Sequence, residues 1–294
     1  MEERLDGKTA LVTGGTSGIG YAFAHAALRP PALLGQPGTM ITRVVLRRKL
    51  LRGLGAKVII TGRDEAKLAQ AAASLEAVGV ACDFRDDGWH ETLAAATDGF
   101  KVDVLVNNAG YNPYLEMNSL TSQPVEVHRA FVDAMVVAYL RLSYACLPHM
   151  TGQAYGRVVN VASVASHLTS SMEPKFSMYG AAKGAVAAFS TALRRNLLEG
   201  GAVGAARNVH VTAACPGNVP TALARDAPES GLGRAHASVT ASTLKWGFAS
   251  TADHTAASAW AACAANRPYA FNSKFDKLIC IVMHVFTLLH ILVS

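Results

Sequence analysis

The stretch Thr9–Gly20, TALVTGGTSGIG, joins an apolar run to a glycine-rich turn. Its first five residues have the composition of a buried strand, and a helical run follows over Tyr21–Leu28. A glycine-rich turn between a strand and a helix lets the backbone approach a pyrophosphate. The spacing Gly14-x-x-x-Gly18-x-Gly20 differs from the common G-x-G-x-x-G, and a simple turn is the alternative interpretation.

Short apolar runs alternate along the chain with alanine-rich helical runs. We expect strands at Val58–Thr61, Val80–Asp83, Val102–Val106, Gly156–Ala162 and Val209–Ala214. The clearest helical runs are Glu65–Val78 and Val125–Met150. This alternation predicts an α/β fold with a doubly wound, mostly parallel sheet, a Rossmann fold. With 51% hydrophobic and 16% charged residues, the chain has the composition of a protein with a large core.

The net charge of +6 does not indicate nucleic-acid binding, because it comes from one segment. Residues 29–53 contain six basic residues and no acidic one: Arg29, Arg43, Arg47, Arg48, Lys49 and Arg52. Without these six, 21 basic residues balance 21 acidic ones. Nucleic-acid binding therefore does not follow from the net charge, and we expect no nucleic-acid partner.

The five cysteines are scattered, with no C-x-x-C pair. This usage fits buried thiols in a reducing compartment better than disulfides or a metal site, so we expect no metal. Met1–Lys8 is polar and has no apolar segment typical of a secretory signal. The sequence therefore predicts a cytoplasmic protein.

The segment Ser177–Lys183, SMYGAAK, places Tyr179 and Lys183 four residues apart at the start of a helical run. Such residues share one helix face. A nearby ammonium favours the phenolate, which lowers the tyrosine pKa and makes the hydroxyl a usable general acid or base. A surface contact is the alternative interpretation of the pair.

The second strand ends at Gly62-Arg63, where a dinucleotide fold meets the adenosine ribose. An acidic residue at this position would bind the ribose 2′-hydroxyl, whereas an arginine accommodates a 2′-phosphate. No acidic residue directly precedes Arg63, although Asp64 follows it, so the sequence favours NADP(H) over NAD(H). A solvated arginine in a turn is the alternative. Asp83, at the end of the next strand, is a candidate adenine contact.

Taken together, these motifs resemble the short-chain dehydrogenase/reductase family, over roughly residues 5–265. The matching segments are Thr13-Gly14-x-x-x-Gly18-Ile19-Gly20, Asn107-Asn108-Ala109-Gly110, Ser163, Tyr179-x-x-x-Lys183 and Pro216-Gly217-x-Val219-x-Thr221. The resemblance predicts one Rossmann domain over residues 1–265, followed by a separate C-terminal segment over 266–294. It also implies a small-molecule carbonyl or alcohol substrate and a homo-oligomer.

The resemblance assigns roles to these residues. Tyr179 would exchange a proton with the substrate oxygen, Ser163 would orient that oxygen, and Lys183 would lower the Tyr179 pKa and hold the nicotinamide ribose. The cofactor would be held by Gly14, Ser17, Gly18, Ile19 and Gly20 at the pyrophosphate, by Asn107, Ala109 and Gly110 at the adenosine, and by Pro216, Gly217, Val219 and Thr221 at the nicotinamide. Tyr111, His167, Leu168 and Met172 are expected to line an apolar substrate pocket.

Two departures from the family pattern lie within the expected domain. Gly20 and Gly55 are 35 positions apart, far more than one short helix requires. Thr39–Arg52 could form a basic amphipathic helix there, as a surface excursion, a contact for an anionic membrane or a sequence-assembly artefact. Counted back from Leu147–Met150, the family's active-site asparagine falls at Met135, and a slip of the alignment in this helix is the alternative. A methionine cannot hold the water of a proton relay, because its thioether is at best a weak acceptor.

The C-terminus is the third departure, since we expect neither the final strand nor the Asp-Gly-Gly sequence of many relatives. Leu278–Val293 instead forms sixteen residues without a formal charge, somewhat short of the about 20 that span a membrane. Membrane association through residues 278–293 and packing on the body or across a dimer interface are the alternatives.

Two functions remain open on the sequence. The first is an NADP(H)-dependent oxidoreductase that interconverts a carbonyl and a secondary alcohol. The second is a catalytically impaired relative that acts as a cofactor-binding or membrane-associated scaffold.

Overall fold

A computed structural model describes residues 3–25, 53–111, 123–167, 174–199, 204–220, 250–274, 276–278 and 280–282. Within them, seven parallel strands form one sheet with the order β3-β2-β1-β4-β5-β6-β7. The strands are β1 (Thr9–Val12), β2 (Lys57–Gly62), β3 (Val78–Ala81), β4 (Val104–Asn107), β5 (Gly156–Val161), β6 (Val209–Cys215) and β7 (Tyr269–Phe271). The predicted α/β fold with a Rossmann-like parallel sheet is confirmed.

Helices cover both faces of the sheet. They are α1 (Gly18–Ala24), α2 (Glu65–Leu75), α3 (Trp89–Ala96), α4 (Val125–Val132), α5 (Ala138–Gly152), α6 (Pro174–Glu199) and α7 (Ala252–Ala264). Alternate residues of a strand point to opposite faces. Val12 accordingly packs in the cluster with α1, α2 and α7, and Leu11 in the cluster with α3, α5 and α6. Both faces of the sheet are therefore buried, as a parallel sheet requires.

The sheet has its topological switch point between β1 and β4. The chain moves outward from β1 through β2 to β3 and then returns to β4 on the other side of β1. In such sheets, ligands bind outside the carboxyl ends of the strands at this point. The segments that follow β1, β4 and β5 carry the predicted site residues, so the topology brings them to one edge.

The predicted helix Glu65–Val78 is too long. Asp64 caps α2 by accepting a hydrogen bond from the Lys67 amide at 2.9 Å, and the helix ends at Leu75. Glu76 then adopts a left-handed conformation with φ 52°, which turns the chain. The next strand accordingly runs over Val78–Ala81 instead of the predicted Val80–Asp83.

The predicted helix Val125–Met150 exists but is not uniform. A π-helical turn, Asp133–Val137, separates α4 from α5. This stretch, Val125–Gly152, has the length and apolar composition of a membrane span, but half of its most apolar window is buried inside the protein. That burial is typical of a core helix, and the π turn places Met135 at the site described below.

The expectation that the final strand is missing is wrong. Tyr269–Phe271 forms β7 and pairs in parallel with β6. The Ala213 amide also donates to the Pro268 carbonyl at 2.9 Å. The sheet therefore continues past residue 265. Of the apolar tail, the structure describes 278 and 280–282, and residues 283–294 lie outside the described part, as do residues 26–52 of the insertion.

Candidate active site

Ser163, Tyr179 and Lys183 meet at the carboxyl end of β5. Ser163 follows β5 by two residues, and α6 carries Tyr179 and Lys183 one turn apart. The Ser163 hydroxyl hydrogen-bonds to the Tyr179 hydroxyl and accepts a hydrogen bond from the Ala165 amide at 3.2 Å. Ser163 and Lys183 are buried, and Tyr179 is half-buried. The structure thus brings the three predicted catalytic side chains together.

Burial dominates the electrostatics of this group. Desolvation raises the Tyr179 pKa above its ordinary value, and the hydrogen bond from Ser163 opposes that shift. The Lys183 ammonium donates to the Val161 carbonyl at 2.7 Å and lies 5.9 Å from the Tyr179 ring centroid. Desolvation lowers the Lys183 pKa to about 7.

The expectation that Lys183 lowers the Tyr179 pKa needs correction. In this structure the group that lowers it is Ser163, and burial outweighs that hydrogen bond. Burial and the Ser163 hydrogen bond account for the shift of the Tyr179 pKa, while desolvation leaves Lys183 only partly protonated at neutral pH.

The glycine loop after β1 has a backbone that only glycine tolerates. Gly14 and Gly18 have φ values of +65° and +56°, in the left-handed region that favours glycine. A Cβ on Gly20 would lie 2.3 Å from the Gly14 carbonyl oxygen, and one on Gly14 would lie 2.9 Å from the Ala109 Cα. Ser17 begins α1 without using its side chain as a cap. The loop therefore presents bare backbone at the switch point.

Two residues that sequence reasoning left off the site fix this loop to β4. The Thr13 hydroxyl accepts hydrogen bonds from the amides of Asn108 and Ala109 at 2.8 and 2.9 Å. The Asn108 side chain donates to the carbonyls of Thr13 and Gly14 at 3.0 and 3.2 Å. Thr13 directly precedes the first glycine, which is the sequence signal that could have identified it.

The assignment of Asn107 to the adenosine side is wrong for its side chain. Asn107 is fully buried, and its amide donates to Asn160 at 2.8 Å and to the Tyr139 carbonyl and Ser143 hydroxyl at 3.3 Å. The side chain of a strand's last residue can point into either helix layer, and here it points into the layer of α5. Asn107 therefore holds β4 to β5 and α5.

Two arginines surround Asp83 beyond the ends of β2 and β3. Arg85 Nε donates to both Asp83 carboxylate oxygens at 3.0 and 3.1 Å, and Arg63 lies 3.9 Å from the same carboxylate. The hydrogen bond from Arg85 is the main cause that lowers the Asp83 pKa. Both guanidinium groups also face the Tyr111 ring, at 5.9 Å for Arg63 and 5.6 Å for Arg85. Sequence reasoning missed Arg85, which follows Asp83 by two residues.

The segment after β6 lies next to Ser163. The Val164 amide donates to the Pro216 carbonyl at 3.0 Å, and Val219 is buried. A Cβ on Gly217 would lie 2.4 Å from Asp276 Oδ1, so the residues after β7 pack directly on this segment. Asp276 was not predicted, because only the fold brings it here. Thr221, Leu168 and Met172 lie outside the described residues.

Met135 lies in the π turn, inside the site. It is buried in a cluster with Phe131 and Ala182, against which Tyr179 packs. Its sulfur is 3.0 Å from the position of a Cβ on Gly110. The space where a polar relay group was expected is therefore apolar. Met135 belongs to a π turn, and π turns recur at functional sites.

Comparisons with known proteins give consistent results. A family model described as short chain dehydrogenase matches residues 48–232. An uncharacterized oxidoreductase of Staphylococcus saprophyticus is 29% identical over 230 residues, which is 76% of this chain and 82% of that protein. The matched range of the family model begins after Gly14–Gly20. The position of that loop at the site is therefore shown by the structure and not by the family match.

Solved structures agree over almost the whole chain. A short chain dehydrogenase/reductase from Burkholderia phymatum in complex with NAD is 25% identical, with a TM-score of 0.71 and coverage of 99% of this chain and 97% of that chain. A short chain dehydrogenase from Burkholderia cenocepacia in complex with NADP is 27% identical, with a TM-score of 0.64 and coverage of 91% and 97%.

Proposed function

Because the chain belongs to the short-chain dehydrogenase/reductase family, we propose that it is an NADP(H)-dependent enzyme that interconverts a carbonyl and a secondary alcohol. Dehydrogenase or reductase activity on CH–OH groups with NAD(P) is the activity of the family. One observation carries the proposal for this chain. The hydrogen-bonded pair of Ser163 and Tyr179, with Lys183 one turn further along α6, lies at the same sheet edge as the glycine loop.

The glycine loop fits a dinucleotide. Gly14 and Gly18 are left-handed, and a Cβ on Gly20 would collide with the Gly14 carbonyl and the Asn108 side chain. A tight glycine turn of this kind between a strand and a helix lets a pyrophosphate approach the backbone. Gly14–Gly20, Ala109 and Gly110 would hold the cofactor on one side, and Pro216 and Gly217 on the other. When bound, the nicotinamide supplies or accepts the hydride.

The protein's own residues would transfer the proton to and from the substrate oxygen. In reduction, the Tyr179 hydroxyl would protonate the developing alkoxide oxygen, while Ser163 donates a second hydrogen bond to that oxygen. In oxidation, Tyr179 would accept the proton from the alcohol. Because burial raises the Tyr179 pKa, the free site keeps the phenol protonated, as reduction requires.

The two arginines support the preference for NADP(H). Arg63 and Arg85 lie together beside the Asp83 carboxylate, beyond the strand end where a dinucleotide fold meets the adenosine ribose. Charge-assisted hydrogen bonds from arginine suit phosphate geometry. The carboxylate of Asp83, which could otherwise accept a ribose hydroxyl, is already paired with Arg85.

A catalytically impaired relative is the second candidate function, and Met135 is the observation that favours it. A buried thioether stands where the resemblance places a polar relay group, in the cluster against which Tyr179 packs. In that case the protein binds cofactor without turnover.

Titration of the purified protein with NADPH and NADH, followed by nicotinamide fluorescence, tests the proposal. Preferential binding of NADPH supports it, and carbonyl substrates are then screened by NADPH oxidation. Failure to bind either nucleotide contradicts it, and binding of NADPH without turnover of any carbonyl supports the impaired relative.

A further inference from the structure

Tyr139 is a buried tyrosine next to Lys183 that no motif identifies. It lies in the first turn of α5 and is 1% exposed. The Lys183 ammonium is 5.4 Å from the centroid of the Tyr139 ring, and 5.9 Å from that of Tyr179. The ammonium therefore lies within reach of two aromatic rings on different helices, a geometry typical of cation–π contacts.

Lys183 needs such contacts, because an ammonium has three donors to satisfy. Among the described residues, its hydrogen bond goes to the Val161 carbonyl at 2.7 Å. Within the part of the chain that the structure describes, the titratable groups that face it are Tyr179 on its own helix, Tyr139 on α5 and the Cys215 thiol on β6. Burial raises the pKa of that thiol, and no carboxylate is among these groups. The two ring faces are thus favourable electrostatic contacts of the Lys183 ammonium.

The hydroxyl of Tyr139 makes a separate contact with the cofactor side of the site. It donates to the Ala109 carbonyl at 3.0 Å. The backbone carbonyl of Tyr139 also accepts hydrogen bonds from Asn107 at 3.3 Å and from Ser143 at 2.7 Å. One side chain therefore links Lys183 to the segment that follows β4.

We propose that Tyr139 is a positioning residue, whose ring holds the Lys183 ammonium and whose hydroxyl holds the Ala109 carbonyl. The link fixes the distance between Lys183 and the loop that lines the cofactor. This inference deepens the proposed function and rests on it for the catalytic consequence. The contact between Tyr139 and Lys183 can be tested without any substrate.

A double-mutant cycle in unfolding stability tests the contact. The variants are Tyr139→Leu, Lys183→Met and the pair, measured by urea unfolding at pH 6.5. We expect a coupling of about tenfold in the unfolding equilibrium constant, as for a desolvated cation–π contact. The coupling should decrease at pH 8.5, where Lys183 is neutral. Leu142→Ala, a fully buried position on the same helix, is the control and should be additive with Lys183→Met.

Kinetics test the positioning role. Tyr139→Phe keeps the ring and loses the hydroxyl, so it should weaken NADPH binding by about three- to tenfold with an unchanged pH profile. Tyr139→Leu should also move the pH midpoint of kcat downward, because loss of the ring disfavours the charged lysine. Leu142→Ala should change neither NADPH binding nor the pH midpoint of kcat.

Two results would overturn the proposal. One is additivity of Tyr139→Leu and Lys183→Met within about twofold at both pH values. The other is a Tyr139→Leu enzyme that is less stable but has the wild-type pH profile. Absence of turnover in the wild type would instead contradict the proposed function, and the stability cycle would still decide whether Tyr139 holds Lys183.

Discussion

At the scale of single residues, burial determines the ionisation of Lys183. The side chain is 4% exposed, and desolvation lowers its pKa to about 7. The sequence motif predicts that a lysine stands beside Tyr179, but it cannot predict how deeply the lysine is buried. Lys183 is therefore a titrating group at neutral pH in the free enzyme, rather than a fixed charge.

The free energy of unfolding should depend on pH because of this titration. Between pH 7 and 8.5 the unfolded state keeps its lysine protonated while folded Lys183 loses its proton, so the unfolded state binds more protons and stability rises with pH. We predict that wild-type stability gains up to about 1.4 kcal/mol per pH unit relative to Lys183→Met. Urea unfolding of both proteins at pH 7.0, 7.75 and 8.5 measures the difference, and parallel curves would contradict the assigned pKa.

Also at the residue scale, Arg63 and Arg85 should discriminate between the two nucleotides. We predict that Arg63→Ala and Arg85→Ala each weaken NADPH binding by about ten- to a hundredfold, because each removes a charge-assisted contact. NADH binding should change much less. Arg195→Ala is the control, since Arg195 is an exposed arginine paired with Glu199 on α6. Equal losses of affinity for NADPH and NADH would show that the arginines do not recognise the 2′-phosphate.

At the scale of elements, the sequence predicts most of the site because its motifs follow strand ends. Ser163, Tyr179 and Lys183 converge as expected, since parallel strands bring the segments after their carboxyl ends to one edge. Contacts between distant segments could not be predicted. The approach of Asp276 to Gly217 depends on β7, which is only three residues long and gives no recognisable pattern.

The loop between β1 and α1 gives a test at the element scale. We predict that Gly20→Ala abolishes NADPH binding, because the new Cβ would collide with the Gly14 carbonyl 2.3 Å away. Gly152→Ala is the matched control, since a Cβ there has no neighbour within 4 Å. Nucleotide titration and thermal unfolding of both variants make the comparison. Normal binding by Gly20→Ala would mean that the loop is not the pyrophosphate site.

At the scale of the whole molecule, the described start of the apolar tail is only partly buried. Cys280 is 5% exposed, whereas Leu278, Ile281 and Val282 are 56%, 51% and 40% exposed. We propose that the tail packs on the protein or on a second copy, and that the protein is cytoplasmic.

Cell fractionation tests this proposal. We predict that the full-length protein remains in the supernatant after lysis without detergent and high-speed centrifugation. A low-salt and a high-salt wash separate adsorption through the basic residues 29–53 from insertion of the tail. Recovery in the pellet, with release by detergent and not by salt, would contradict packing of the tail and favour a membrane anchor.

We propose that Tyr179 transfers a proton in an NADPH-dependent reduction. The most direct measurement is NADPH oxidation against a panel of aldehydes and ketones, with the wild type and Tyr179→Phe side by side. We predict turnover by the wild type and a loss of at least about a hundredfold in kcat for Tyr179→Phe, with NADPH binding retained. Undiminished turnover by Tyr179→Phe would contradict it.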